Sequence, residues 1–340
     1  MIIGLEESLM RKNNSFVIFS FVLILAMLAC NAPVSGGGST AIPPSNTPAV
    51  AASSPTPEIL PASTEAPSPT PELPTPTLAV SHALVPSTDV KAGKLILDVT
   101  SESTAPQKRA PYGDSYDGNR LERPFMQDMT YVADMDIVSF NLSYDDKFFY
   151  VSIELVGTNP NNDIGINYSV ELDTNGDGYG DMIITAHPPY NAEWSTDNVQ
   201  VLQDTNHDTG GLSAEKSDAP LPGDGYDTVI FDGGRGPDDD PDLAWVRINA
   251  GPKATVQFAF KKSWAGTKFM YGVIADGGLK NVGKLDYVDR FTEKDAGSPV
   301  RDNKYYPLKA LYGVDNVCRE VFGFTGNVLK QEPQRCQKIQ

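Results

Sequence analysis

The stretch Asp173-Thr174-Asn175-Gly176-Asp177-Gly178-Tyr179-Gly180-Asp181 puts side-chain oxygens at loop positions 1, 3, 5 and 9, with glycine at position 6 and the Tyr179 carbonyl at position 7. Calcium takes about six to eight oxygens at about 2.3–2.6 Å, and only a tightly turning loop aims alternate residues at one ion. The spacing predicts a Ca2+ site made of Asp173, Asn175, Asp177, Asp181 and the Tyr179 carbonyl. The competing reading is a polar turn that needs no ion, because Asp, Asn and Gly favour turns anyway. A second stretch, Asp204-Thr205-Asn206-His207-Asp208, repeats the 1, 3, 5 spacing. There Thr209 replaces the position-6 glycine and Leu212 offers no side-chain oxygen at position 9, so Asp204, Asn206 and Asp208 are weaker metal ligands. Asp238, Asp239, Asp240 and Asp242 crowd around Pro241 and read as a solvated acidic loop, unless folding brings them beside Asp204 or Asp208. In all three places calcium would neutralise and pin loops rather than perform a reaction.

Sugar recognition is the other chemistry within reach. An exposed indole or phenol stacks on the apolar face of a pyranose while nearby Asp and Asn take its hydroxyls. Tyr190 and Trp194, set among Pro188, Pro189, Asn191 and Asn198, are the candidate ligand-binding residues. Trp245 lies inside an apolar run and reads as core, and Trp264 as a cap on it. Ordinary packing is the alternative for every one of these rings. Catalytic signatures are missing: the chain has no His-Glu-x-x-His, no Gly-x-Ser-x-Gly and no phosphate loop with its Lys. The sequence therefore favours a binding module over an enzyme and assigns no catalytic residue.

The N-terminus sets the address. Arg11 and Lys12 precede the apolar run Phe16–Ala29, which ends in Met27-Leu28-Ala29-Cys30. That order is a secretory signal peptide, and the run is too short for the roughly 20 apolar residues that span hydrocarbon. The small residue before Cys30 resembles the lipobox of bacterial lipoproteins, with Met27 where that family usually has Leu. The resemblance implies cleavage after residue 29 and lipidation of Cys30, which anchors the chain on the extracytoplasmic side of a bacterial membrane or at the cell surface. Residues 30–88 then form a disordered tether of Pro, Ser, Thr, Ala and Gly, with a reach of up to roughly 170 Å where it is extended. In an oxidising compartment the remaining cysteines, Cys318 and Cys336, are expected to close a disulfide loop; two buried thiols are the alternative. A net charge of −17 repels phosphate backbones, which argues against nucleic acid as a partner.

The remaining chain alternates with period two. Val138, Phe140 and Leu142, then Phe149, Val151, Ile153 and Leu155, flank the turn Asp145-Asp146-Lys147 and predict a hairpin. Ile164, Ile166, Tyr168, Val170 and Leu172 make the cleanest strand, and it leads straight into Asp173. Further strands are expected over 182–185, 198–202, 228–231, 243–248, 254–260 and 268–274, with an edge strand over 94–100. The fold class is all-β: an antiparallel, jelly-roll-like β-sandwich with long loops, preceded by a disordered linker. A closed barrel is the alternative. The organisation expected is a signal peptide over 1–29, the lipidated tether over 30–88, a calcium-stabilised sandwich over 89–300 and a C-terminal appendage with the disulfide loop over 301–340.

Three segments carry a family likeness: Asp136-Ile137-Val138-Ser139-Phe140, Asp145 through Ile153, and Tyr168 through Asp173. Together they resemble the opening strands of DOMON-like β-sandwiches, which include carbohydrate-binding modules and the C-terminal domain of glucodextranase-type enzymes. That likeness implies an accessory domain binding extracellular polysaccharide. Its haem-binding branch is disfavoured, since no Cys-x-x-Cys-His occurs and His82, His187 and His207 include no convincing axial ligand. The Asp173–Asp181 loop resembles the calcium loop of EF-hand and dockerin proteins set on a hairpin, except that Ile184 stands where a helical loop carries its bidentate Glu. The tail around Cys318 and Cys336 is similar to bacterial lipoproteins with a terminal disulfide loop. The expected function is a surface-anchored lipoprotein whose sandwich binds carbohydrate; the alternatives are a structural or adhesive envelope protein and, behind both, a polysaccharide-degrading enzyme. Oligomeric state is not legible.

Overall fold

A computed structural model describes residues 80–111, 123–209, 224–249, 251–278, 280–281, 313–324 and 336. The expected signal peptide, Cys30 and the tether up to residue 79 lie outside the described residues. In chain order the strands are β1 (Lys94–Leu97), β2 (Ile137–Tyr144), β3 (Phe148–Leu155), β4 (Asn167–Asp173), β5 (Met182–Ala186) and β6 (Val199–Gln203). They continue with β7 (Thr228–Asp232), β8 (Ala244–Asn249), β9 (Thr255–Lys261), β10 (Phe269–Asp276), β11 (Val314–Asn316) and β12 (Glu320–Phe322). A single turn of helix, α1 (Lys262–Ala265), joins β9 to β10. One sheet runs β1-β2-β3-β9-β8; the other runs β11-β10-β4-β5-β6-β7, with β12 also on β10.

The protein is an antiparallel β-sandwich. Alternation places Phe140, Val151, Ile153, Phe258 and Phe260 of the first sheet against Tyr168, Val170, Leu172, Phe269 and Val273 of the second, all buried in one core. Phe140 meets Tyr271 edge-on at 5.6 Å and Phe149 meets Phe269 at 5.0 Å, so aromatic rings span the gap between the sheets. Each such side chain contributes about 1.5–3 kcal/mol by leaving water. The expected strands all form, with ends displaced by a few residues at most. The two short strands near the C-terminus, β11 and β12, pair with opposite ends of β10, so residues 313–324 extend the larger sheet of the sandwich.

The sandwich also begins earlier than the alternation suggests. Residues 80–91 lie over the outer face of the first sheet as a strap. The Asp242 carboxylate accepts from the N–H groups of Ala83 at 3.1 Å and Leu84 at 2.8 Å, and it meets His82 Nδ1 at 2.9 Å. Leu84 and Val90 pack on a second apolar cluster that contains Phe148, Tyr150, Trp194 and Trp245. The strap explains why both faces of this sheet are dry near β3 and β8.

The β2–β3 turn is closed by one carboxylate. Asp145 Oδ1 accepts from the N–H groups of Lys147 at 2.7 Å and Phe148 at 2.8 Å, while Oδ2 accepts from the Tyr150 hydroxyl at 2.6 Å. Burial pulls its pKa up, but the Tyr150 hydroxyl and those N–H groups, with Lys262 nearby, hold it below the ordinary 3.8. A depressed carboxyl stabilises the fold above its unfolded value, and that contribution is lost as pH falls through the folded one. Asp145→Asn is therefore expected to lower the urea midpoint at pH 6, with the gap to the unsubstituted protein narrowing as pH drops below 3.8. Urea titrations from pH 6 to pH 2.5 measure this, and a gap that stays constant with pH contradicts the assignment.

Candidate functional site

β4 ends in Asp173 and β5 starts at Met182, so the loop between them stands at one end of the seven-stranded sheet. The β6–β7 connection begins at the same end, because Met182 pairs with Gln203 and the Asp204 N–H donates to the Asp181 carbonyl at 3.0 Å. The two Asp-rich stretches are thus side by side. They also fold alike. Asp173 Oδ1 accepts from the N–H of Asn175 at 3.2 Å and of Gly176 at 2.6 Å, and Oδ2 from the N–H of Gly178 at 3.0 Å. Asp204 does the same at the corresponding offsets: Oδ1 accepts from Asn206 at 3.2 Å and His207 at 2.7 Å, and Oδ2 from Thr209 at 2.8 Å.

Glycine is required where the first loop curls. Gly176 and Gly178 have φ of +77° and +93°, the left-handed region that side chains avoid. A Cβ on Gly180 would come within 2.1 Å of the Tyr226 hydroxyl. In the second loop His207 takes a positive φ instead, at +63°. Its Nε2 lies 3.1 Å from Asp177 Oδ2 and its ring packs 4.4 Å from that of Tyr179, so the loops touch through their tips.

Asp173 is fully buried. Burial raises its pKa above the ordinary 3.8, against the lowering effect of the Gly176 and Gly178 N–H groups and of Arg319. A carboxylate in that position gains from a nearby cation. The ligands that the spacing offers are all oxygen donors, the kind a hard ion takes: Asp173 itself, Asn175, Asp177, Asp181 and the Tyr179 carbonyl. Asp181 caps the loop from its far end, accepting through Oδ2 from the Thr174 N–H at 2.6 Å and from the Thr174 hydroxyl. These carboxylates are turned onto backbone N–H groups, and among the described residues no three His, Cys, Asp or Glu side chains are gathered as a ready cage. Holding an ion requires Asn175, Asp177 and Asp181 to exchange those bonds for it.

The weaker ligands have structural partners. Asp208 accepts from the N–H groups of Asp224 and Gly225, both at 3.0 Å, and Asn206 Nδ2 donates to Asp224 Oδ1 at 2.8 Å. In the acidic stretch near Pro241, Asp242 holds the strap and Asp240 pairs with Lys261 at 2.5 Å, so neither carboxylate turns toward the Asp204 loop.

The aromatic candidates turn inward. Tyr190 is 4 % exposed, its ring 5.5 Å from that of Tyr168 and its hydroxyl within 2.7 Å of the Ile166 carbonyl and 2.8 Å of the Ala186 carbonyl. Trp194 is 9 % exposed, with its Nε1–H donating to the Ser87 carbonyl at 2.9 Å and the Arg247 guanidinium 4.6 Å from its ring. The strap covers Trp194 and the core takes Tyr190, so neither ring offers a face for stacking. Trp245 is buried as expected.

Arg319, next to Cys318, is a buried charge beside this loop that no sequence signal marks. Its guanidinium is wholly buried and meets Glu171 Oε1 through Nε at 2.6 Å and through Nη2, while Nη1 donates to the Gly178 carbonyl at 2.8 Å. The Tyr226 hydroxyl completes Glu171 through Oε2 at 2.9 Å. The disulfide Cys318–Cys336, with Cα atoms 4.8 Å apart, and the Cys336 N–H on the Arg319 carbonyl at 2.9 Å fix this arginine behind the Asp173 loop.

Compared with known proteins, the chain matches no family model, no curated protein and no solved structure.

Arg319→Leu leaves Glu171 buried without its counter-charge and is expected to reduce the free energy of unfolding by about 3–5 kcal/mol. Adding Glu171→Leu should recover part of that loss, as chemical denaturation of the single and double variants would report. Equal stability of Arg319→Leu and the unsubstituted protein would contradict the pairing.

Proposed function

We propose that this chain is an exported bacterial lipoprotein, anchored through an acylated Cys30, whose calcium-stabilised β-sandwich binds extracellular carbohydrate without catalysing its breakdown. One observation carries the calcium part: a fully buried carboxylate, Asp173, at position 1 of a loop whose glycines, carbonyl and remaining oxygens stand at calcium spacing. The ion would be held by Asp173, Asn175, Asp177, Asp181 and the Tyr179 carbonyl, and it would fix the β4–β5 loop against Arg319. Carbohydrate binding follows the likeness to DOMON-like sandwiches and the absence of catalytic motifs. The address follows the charged, apolar and small-residue order that ends at Cys30. The burial of Tyr190 and Trp194 favours a second reading, a structural or adhesive envelope protein, and a screen of soluble polysaccharides against the exported protein separates the two.

An ion bound only by the folded state adds RT ln(1 + [L]/Kd), about 2.7 kcal/mol at a hundredfold excess over Kd. Scanning calorimetry of the full chain is expected to show a higher Tm in excess calcium than in chelator. Asp173→Asn and Asp177→Ala should each lose that increment, and magnesium should replace calcium poorly, since it demands octahedral geometry at about 2.0–2.1 Å. A Tm insensitive to chelator, with no calcium found by elemental analysis, would reduce the loop to a turn.

The mature N-terminal peptide should begin at Cys30 and carry acyl chains, which mass spectrometry of the membrane fraction can read directly. Cleavage elsewhere or an unmodified Cys30 would end the lipoprotein reading. A Cys30→Ser chain should be released or left unprocessed.

A further inference from the structure

β1 lies at the edge of the smaller sheet. Its pairing with β2 runs from Lys94 opposite Leu142 to Leu97 opposite Ser139, and no described strand pairs with its other side. The Asp98 N–H donates to the Val138 carbonyl at 3.0 Å. Hydrogen-bonded pairs alternate in an antiparallel ladder, so Lys94, Ile96 and Asp98 turn their backbone groups toward β2 while Leu95 and Leu97 turn theirs outward. The strand is pinned at both ends: the Gly93 N–H donates to Asn141 Oδ1 and the Ser101 N–H to Asp136 Oδ2, both at 3.0 Å. An edge held in place in this way has little freedom to lose on pairing.

Its side chains do not guard it. Leu95 and Leu97 are each 55 % exposed and Val99 is 42 % exposed, in one row on the outer face, while Ile96 alternates into the core. Edge strands of soluble proteins are blunted by proline, by bulges or by charges. Residues 93–101 contain no proline, the β1–β2 register has no shift, and Lys94 leans to the core side, where its ammonium meets Glu320 Oε2 at 2.7 Å. A row of exposed apolar side chains beside open backbone groups marks an interaction surface.

The strand is also complementary to itself. Turned about a two-fold axis at Ile96, a second copy sets its Leu97 opposite Leu95 and its Leu95 opposite Leu97. These are the residues whose backbone groups face outward, so each leucine pair is a hydrogen-bonded pair as well. The same register puts Lys94 across from Asp98 at both ends of the pairing, opposite charges in each case. A slip of two residues either way faces Lys94 with Ile96 or Thr100 and loses both charge pairs. This double match favours a second copy over an unrelated extended peptide. We propose that two copies of this chain associate through β1, antiparallel and centred on Ile96, so that their smaller sheets join into one with four leucines on its outer face. A contact confined to a strand edge falls below the roughly 1,000 Å² of stable complexes, so the pair is weak and forms at high local concentration.

Sedimentation velocity of the full chain from about 1 µM to about 500 µM covers the range in which such weak contacts fill. The sedimentation coefficient is expected to rise toward that of a dimer with concentration. Leu95→Lys combined with Leu97→Lys sets ammonium groups face to face, and should raise the dimer Kd at least about tenfold with Tm unchanged, since both side chains are exposed. Val229→Lys, on β7 of the other sheet, should associate normally. The register is read by mixing Leu95→Cys and Leu97→Cys chains, both in a Cys30→Ser background, under mild oxidation. Opposed Cα atoms about 5.5 Å apart lie within the reach of a disulfide, so the mixture should cross-link 95 to 97. Each variant alone should not, because like positions stand about 7 Å out of line along the strand. A chain that stays monomeric throughout, or association equal in the double lysine variant and the unsubstituted protein, overturns the proposal. Cross-links of like with like overturn the register on which it is built, and should the double variant unfold, the cross-linking pattern alone decides.

Discussion

A single buried ion pair ties together the parts of this fold that lie far apart in sequence. Glu171 sits mid-sheet on β4, pointing away from the apolar core, and a carboxylate there is costly unless it is neutralised and fully hydrogen-bonded. Arg319 supplies the charge, Tyr226 takes the second oxygen, and the guanidinium still has a donor left for the Gly178 carbonyl. Four segments meet at this point: β4, the β4–β5 loop, the β6–β7 connection and the C-terminal disulfide region. The arginine reaches it only because Val317 and Cys318 hand the chain from β11 to β12 along β10, and the bridge to Cys336 closes a separation of 18 residues. By the chain-entropy account, such a bridge restricts the unfolded chain by about 3 kcal/mol. The disulfide therefore holds a charge in place as well as a chain end.

The paired Asp loops follow from the same constraint. In each, one carboxylate at the strand end collects the N–H groups two, three and five residues on, which would otherwise be stranded as the chain leaves the sheet. What separates the loops is the residue at position 6. Gly178 turns at a positive φ and presents its carbonyl to Arg319, while Thr209 makes the same N–H bond and adds its hydroxyl to Asp204. The first loop spends its position 3, 5 and 9 oxygens on its own N–H groups, the Thr174 hydroxyl and His207, bonds that an ion could exchange; the second has bound its own to Asp224 and Gly225. One repeat thus yields one candidate ion site and one closed turn.

Much of the sandwich was legible because eight-residue strands such as β2 and β3 alternate long enough for period two to stand out. β11 and β12 have three residues each, too few to show any period, and only their pairing with β10 makes them strands. The strap escapes notice for a similar reason: its few apolar residues, Leu84, Val85 and Val90, follow no period, and it is ordered by Asp242, Tyr150, Trp194 and Arg247, all distant in sequence. Tyr190 and Trp194 stand among loop residues, which suggested exposure. Yet a phenol or indole with one polar end is easily buried when carbonyls such as those of Ile166 or Ser87 wait for it, and no local pattern announces them. Tyr144 shows the converse: a ring in strand register with Phe140 and Leu142 that runs past the end of the core.

The strap gives the proposed anchor a mechanical partner. A chain held at its N-terminal side would pass load into the fold through residue 80, and the first resistance it meets is Asp242, whose carboxylate engages His82, Ala83 and Leu84 together. Asp242 is itself buried, beside Trp245, whose Nε1–H donates to the Asp242 carbonyl at 3.2 Å and whose ring lies 4.4 Å from that of His82. Behind it come Ser87, bonded to Trp194 and Tyr150, and Thr88, bonded to Arg247. These bonds follow one another along the strap, at His82, Ala83 and Leu84, then Ser87, then Thr88, so a pull on its N-terminal end would load them in succession.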